Sequence, residues 1–211
     1  MSGDGGARLT SLLADAGLPG LDPDLSKRFC DYLALLVRWN QRINLTSIRN
    51  EEDILKRHFF ESIVCARSVP AGISTLLDYG SGAGIPGIPI ALCRAEIAVT
   101  LAESNGKKAA FLREAVRVLG IGTKVHAGRA EELGVRFDCV ALRAVDRMGE
   151  AIGRAGELVM DGGWLVAMTT GAELKTVQSA AGSGFTWRRV EHLMGSGDRL
   201  IALGQRGGVP A

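Results

Sequence analysis

The sequence predicts an α/β protein: a mostly parallel sheet flanked by helices, preceded by a helical N-terminal extension and closed by a C-terminal antiparallel hairpin. Three observations carry this. From Ser74 onward, short apolar runs alternate with helical stretches, the pattern of βαβ units. The first such run feeds directly into a glycine-rich turn, Leu76-Leu77-Asp78-Tyr79-Gly80-Ser81-Gly82-Ala83-Gly84-Ile85-Pro86-Gly87, as a strand–loop–helix unit does. Before Ser74, apolar residues recur at helical spacing. A chain of 211 residues suits one main α/β domain with a small appendage. The expected division is residues 1–72 for the helical extension, 73–206 for the sheet-bearing domain and 207–211 for a flexible tail.

The elements follow in order. Asp24 to Trp39 places Leu25, Phe29, Tyr32, Leu33, Leu36 and Val37 on one side of a helix. Asn40 to Ser47 is a polar loop interrupted by apolar residues. Asn50 followed by Glu51, Glu52 and Asp53 reads as an N-cap with acids in the first turn. That helix runs through Ile54, Leu55, Phe59 and Ile63 towards Ser68, and Pro70 ends it. Strands are expected near 75–79, 98–103, 124–126, 137–142 and 164–168. Helices near 86–94, 106–119, 147–160 and 172–181 separate them, with only a short loop or turn after residue 126. Pro86 suits a first helical position, where no N–H is needed, and Gly120 marks a helix stop. Phe185 to Leu193 and Arg199 to Leu203 are extended runs joined across Gly195-Ser196-Gly197, which makes a hairpin.

The glycine loop carries the chemistry. Glycines tolerate positive φ and let a ligand approach bare backbone, and the helix that follows adds a partial positive charge at its N-terminus. Gly82-Ala83-Gly84-Ile85-Pro86-Gly87 formally satisfies the dinucleotide pattern, but its first glycine then falls two residues past Gly80 rather than at the strand end. Reading Asp78-x-Gly80-x-Gly82-x-Gly84 uses every glycine. It also gives Asp78 a task, because a carboxylate there suits a ligand with an ammonium group and repels a pyrophosphate. S-adenosylmethionine (SAM) has that ammonium, a sulfonium and an adenosine, and is the better fit. An ordinary βα turn without a ligand is the third reading.

The totals exclude several classes. A hydrophobic content of 46% with 23% charged residues is that of a soluble globule. Nothing resembles a membrane span or a signal peptide, so the expected location is the cytoplasm. Cys30, Cys65, Cys93 and Cys139 are scattered in apolar runs without a CxxC pair, which predicts reduced core cysteines and no metal site. A net charge of +2 does not by itself predict nucleic-acid binding. Basic residues do gather at Lys56-Arg57-His58, at Gly106-Lys107-Lys108, at Arg113 with Arg117 and at Arg188-Arg189. Each cluster taken alone reads as a solvated face, and their convergence on one RNA-facing surface is not visible in the sequence.

In an open parallel sheet, ligands collect at the carboxyl ends of the strands. Those ends nominate Asp78, Gly80, Ser81, Gly82 and Gly84 after the first strand. Glu103 and Ser104 follow the second, where a carboxylate can accept bonds from ribose hydroxyls. Gly128-Arg129-Ala130-Glu131-Glu132 follows the third, with amides that can face an adenine edge. Arg143 ends the fourth.

These blocks together resemble the RsmG (GidB) family, bacterial 16S ribosomal RNA guanine-N7 methyltransferases. The matching stretches are Trp39-Asn40, Asn44-Leu45-Thr46-Ser47, Arg57-His58, Glu61-Ser62, Asp78 to Pro89, Gly106-Lys107-Lys108 with Phe111-Leu112, Arg129 to Glu132, and Arg143-Ala144. The resemblance implies a Rossmann-like SAM-dependent methyltransferase domain acting on a guanine of small-subunit rRNA or a small-subunit particle. It places the cofactor contacts on Gly80, Ile85, Glu103, Ala130, Glu131 and Arg143, and the substrate guanine near Asn44, His58, Arg143 and Arg199. The chain departs from the family's pattern at three places. Glu103 and Glu61 each stand where an aspartate is usual, and Met168-Thr169-Thr170-Gly171 lacks the lysine usually found before that glycine. Guanine N7 carries a lone pair and no proton, so catalysis by alignment is expected, without a general base. A SAM-binding, RNA-binding or ribosome-assembly module with little turnover is the main alternative. A small-molecule methyltransferase and an NAD-dependent oxidoreductase stand further off. The expected assembly is a monomer.

Overall fold

The computed structural model of the chain describes residues 3–143 and 148–208. Helix α1 (Gly3–Asp15) comes first and α2 (Pro23–Asn40) second. The Asp22 side chain caps α2 by accepting the Leu25 amide at 2.8 Å, and Pro23 follows in the first turn. The next helical run begins at Asn50, as the sequence predicts, but it is not uniform. A short α3 (Glu51–Ile54) passes into a π-helical turn over Leu55–Phe60 and then into α4 (Glu61–Ser68). Such a turn re-phases the faces on either side of it and is common at functional sites. It is seated by aromatic packing: Phe59 lies 4.9 Å from the Tyr32 ring and 5.4 Å from Phe29.

The sheet holds β1 (Thr75–Tyr79), β2 (Ala98–Ala102), β3 (Lys124–His126), β4 (Phe137–Arg143), β5 (Val159–Thr170), β6 (Phe185–His192) and β7 (Arg199–Arg206), ordered β3-β2-β1-β4-β5-β7-β6. The first five strands run parallel; β7 inserts antiparallel between β5 and β6, so the expected hairpin closes the sheet. The winding reverses between β1 and β4, which opens a crevice at their carboxyl ends. Helices α5 (Gly87–Cys93), α6 (Gly106–Leu119), α7 (Met148–Glu157) and α8 (Gly171–Ala181) make the crossovers and flanks.

Successive strand residues face opposite sides, and the core divides accordingly. Leu76 joins an apolar cluster with Phe29, Tyr32, Ile63, Ile88 and Phe111, whereas Leu77 joins Ala151, Ile152, Ala155 and Val177. The N-terminal helices therefore share one core with α5, α6 and one face of the sheet, while α7 and α8 cover the other. Burying each large side chain is worth about 1.5–3 kcal/mol, so this shared cluster ties the helical segment firmly to the rim where the crevice opens.

Several boundaries differ from expectation, β7 running to Arg206 instead of Leu203 among them. Strand β5 starts at Val159 rather than near residue 164, and α7 ends at Glu157. The reason is a register shift against β4, where Phe137 pairs with Val159 but Cys139 pairs with Trp164. The intervening Gly162, at φ 77°, and Gly163 break the alternation that marks a strand. Pro86 stands one residue before α5, not inside it. A short 3-10 helix, Ala130–Leu133, occupies the connection after β3. The start of the expected 147–160 helix, Ala144 of the Arg143-Ala144 pair and most of the 207–211 tail lie outside the described residues. Among the described residues no helix is long and apolar enough to cross a membrane, and no cluster of His, Cys, Asp or Glu has a metal-holding arrangement.

Candidate active site

A cavity of about 410 Å³ opens at the carboxyl ends of β1, β2 and β4. Gly80, Ser81, Gly82, Ala83 and Ile85 of the glycine loop form one wall. Gly80, Gly82 and Gly84 adopt φ of 69°, 55° and 82°, the left-handed region that glycine alone enters without strain. The crowding differs along the loop. A Cβ on Gly84 would lie 2.5 Å from Ile88 Cδ1, while one on Gly82 would meet only the Gly80 carbonyl at 3.8 Å. Gly84 is thus needed for packing beneath the loop and Gly82 for its backbone conformation. From below, the fully buried Tyr32 hydroxyl donates to the Ala83 carbonyl.

Asp78 does not line the cavity, contrary to its expected role as partner of a ligand ammonium. It is 1% exposed and lies under the loop, where Oδ2 accepts the Gly87 amide at 3.1 Å. A Cβ on Gly87 would come within 2.5 Å of that same Oδ2. Burial pushes the Asp78 carboxyl up to about 7; the Gly87 amide bond opposes the shift and the Glu103 charge adds to it.

Glu103 is placed as the sequence predicts, just past β2 and on the cavity wall. Its Oε2 accepts the Gly82 amide at 2.8 Å and its Oε1 the Asn105 amide at 2.7 Å. One carboxylate therefore joins the glycine loop to the start of α6, whose N-cap is Asn105. Ser104 and Lys108 complete this side. Ala130 and Glu131 do not reach the cavity lining; Glu131 instead accepts the Tyr79 hydroxyl at 2.7 Å.

The opposite wall comes from the N-terminal segment. Asn40 Oδ1 accepts the amides of Leu45 and Thr46 at 3.0 and 3.1 Å, which folds the 44–48 loop over the cavity. Leu45, Thr46 and Ser47 line it. Asn44 does not: its side chain faces outward and accepts from Arg49 at 3.4 Å. Thr46 Oγ1 lies 2.8 Å from His58 Nε2. Burial, then the positive charges of Arg143, Arg57 and Arg199, lower the His58 pKa to about 3, so the imidazole is neutral.

Below His58, Glu61 is 1% exposed and holds two cations: Arg143 at 2.9 Å from the end of β4 and Arg199 at 2.8 Å from the start of β7. Arg143 lines the cavity, whereas Arg199 reaches the shared carboxylate without lining it. Burial lowers the Arg143 pKa and the Glu61 charge opposes the shift. Thr170 pairs across strands with Arg199 and caps α8. Tyr32, Asn40, Thr46 and Glu61 have no site role that is visible in the sequence. The last three sit in the matching blocks, so their position was legible; the buried partnerships that give them a task were not.

The strand order and the crevice with its acid-anchored glycine loop define a Rossmann-like methyltransferase fold. Solved structures agree at the level of fold. The chain superposes on a ribosomal protein L11 methylase from Lactobacillus delbrueckii subsp. bulgaricus with TM-score 0.59 at 13% identity, covering 75% of this chain and 80% of that one. On the T. thermophilus 16S rRNA methyltransferase RsmC, solved in complex with AdoMet and guanosine, the TM-score is 0.54 at 16% identity, covering 71% and 40%. The family model described as GidB, rRNA small subunit methyltransferase G, matches residues 25–194. The chain belongs to this RsmG family. It is 45% identical over 152 residues to the ribosomal RNA small subunit methyltransferase G of Stenotrophomonas maltophilia strain K279a, covering 71% of each chain. To that of Neisseria meningitidis strain FAM18 it is 39% identical over 159 residues, covering 72% and 76%.

Proposed function

We propose that this enzyme transfers a methyl group from SAM to N7 of a guanine in 16S rRNA. The observation that carries the reading is the meeting of two walls in one cavity: the Gly80–Ile85 loop with Glu103 on one side, and Arg143 with the neutral His58 on the other. The first wall fits SAM. Its glycines leave the backbone bare, and each Glu103 oxygen retains a lone pair beyond the amide bond it already accepts, enough for two ribose hydroxyls. Held there by the glycine loop and Glu103, SAM would supply an electrophilic methyl group, the N7–carbon bond forming as the carbon–sulfur bond broke and the positive charge passing to the purine. No proton leaves N7, so no base is needed. His58 fits this chemistry, because an imidazole with a pKa of about 3 is a poor proton acceptor.

The chain's contribution is alignment, which can supply much of the barrier reduction. Thr46 and His58 close one edge of the acceptor side and Arg143 fixes the other. Lys108 at the rim and exposed Lys107 and Arg57 nearby supply positive charge for a phosphate backbone. The target base must be unstacked, or already in a loop, to enter.

The test has two parts. Labelled SAM and unmodified small-subunit RNA should yield labelled RNA with the purified chain, and the modified base should then be mapped in rRNA from cells with and without the gene. Loss of one N7-methylguanine in the deletion supports the reading. SAM binding without transfer to any small-subunit RNA would leave the chain a SAM-dependent binding module instead, the role that Thr170 in place of a lysine favours.

A further inference from the structure

The buried ion-pair cluster beneath His58 does more than hold the fold together. Glu61 takes one nitrogen from each of two arginines, Nη2 of Arg143 and Nη1 of Arg199. Arg143 Nη1 is buried and has no hydrogen-bond partner among the described residues, although its side chain lines the cavity. A guanidinium is a rigid planar fork, so pinning Nη2 fixes where Nη1 points. A buried N–H without an acceptor is costly, and a ligand acceptor satisfies it.

We propose that Glu61 is a positioning residue: it aims Arg143 Nη1 at O6 of the substrate guanine and thereby selects guanine over adenine. This rests on the guanine-N7 reading above. The edge of guanine that carries N7 offers two acceptors, N7 and O6. N7 must keep its lone pair for the methyl group, which leaves O6 in the same plane for Arg143. Adenine presents an amino donor at that place, and two donors face to face are rejected. The carboxylate also offsets one of two cations, so the trio carries one net positive charge beside a cationic cofactor instead of two.

The experiment is a cycle between one residue and one substrate atom, read as single-turnover rates at saturating SAM. The RNA is a small-subunit rRNA transcript carrying at the mapped site either guanine or 2-aminopurine, which keeps N7 and lacks O6. On guanine RNA, Glu61→Gln should lower the rate about 100-fold, the scale of loss for a misaligned site, and Glu61→Asp should recover part of it by restoring the charge. On 2-aminopurine RNA the wild type should be slow, and Glu61→Gln should add no further loss. An equal rate factor on both RNAs, or none on either, overturns the inference. If Glu61→Gln does not fold, the charge-conserving pair Glu61→Gln with Arg199→Gln carries the same cycle with the same two outcomes. Wild-type inactivity on guanine RNA would instead overturn the guanine-N7 reading itself.

Discussion

Deleting the Glu103 side chain should separate its two tasks, holding the loop and holding a ligand. Its two oxygens accept the Gly82 and Asn105 amides at 2.8 and 2.7 Å, and it is only 7% exposed. A hydrogen bond to a charged acceptor is worth about 1.5–3 kcal/mol. Losing one such bond to a ribose hydroxyl weakens SAM binding by about 10- to 150-fold. Losing the two amide acceptors lowers stability without ligand, because Gly82 at φ 55° is then released from its partner. Glu103→Gln keeps one acceptor oxygen but sets its amide donors against one of the two backbone N–H groups, so it should fall between wild type and Glu103→Ala on both measures. Isothermal titration with SAM and with its demethylated product gives the first quantity; thermal unfolding of the free protein gives the second. A folded Glu103→Ala protein that binds SAM as tightly as wild type would refute the ribose assignment. If its melting temperature also fell, Glu103 would be a loop anchor only.

Other consequences are simpler to state. Gly82→Val should abolish binding of SAM and its product, because a β-branched residue resists φ of 55° even though space exists there; NAD should not bind the wild type at all, and calorimetry reads both. Asp78→Asn should flatten a slope in stability against pH. The folded carboxyl binds its proton up to about pH 7, whereas the unfolded one releases it near 3.8, so the wild type loses stability as pH rises across that interval; chemical denaturation at several pH values checks this. His58 works in the opposite sense: lowered from 6.5 to about 3, it costs stability as pH falls through that window, and His58→Gln should remove the loss. The same variant should keep a substantial methyl-transfer rate, and the pH–rate profile should show no acid limb near 6.5. A steep limb that disappeared in His58→Gln would mean that a proton is removed, and would point to an exocyclic amine as the acceptor.

The sheet-bearing part of the fold was legible because its signals are local. Each of the apolar runs ending at Tyr79, Ala102 and Arg143 is bounded by a polar or glycine turn, and β1 and β2 fall where those signals put them. The π turn over Leu55–Phe60 was not legible, since a helix with one widened turn has the same residue types as a regular one. The early start of β5 was hidden by Gly162 and Gly163, which read as a turn and are in fact an irregularity within a strand. In the site, the cavity-lining residues on the strand ends were found by position alone. The misplacement of Asp78 has a different cause: spacing puts its side chain at the strand end, but only the packed structure shows that Gly87 comes close enough to cover it.

The charges on the acceptor side have a logic that no single residue reveals. On the proposed guanine-N7 reading, methyl transfer brings a cationic cofactor against a neutral base and ends with the cation on the purine, so the surrounding protein must neither repel the first nor trap the second. Burial first, and then the charges of Arg143, Arg57 and Arg199, keep His58 from adding a further positive charge. Glu61 meanwhile offsets one of the two guanidiniums that it binds. Protonating His58 would be costly for the same reason that removing Glu61 would be: each raises the local positive charge by one where water is scarce and screening weak. The neutral imidazole and the shared carboxylate thus both hold down the positive charge on this side of the cavity. A Glu61→Gln protein should show its His58 still more resistant to protonation than wild type, a shift that imidazole NMR can follow; an upward shift would mean that Glu61 does not govern the charge of this side of the cavity.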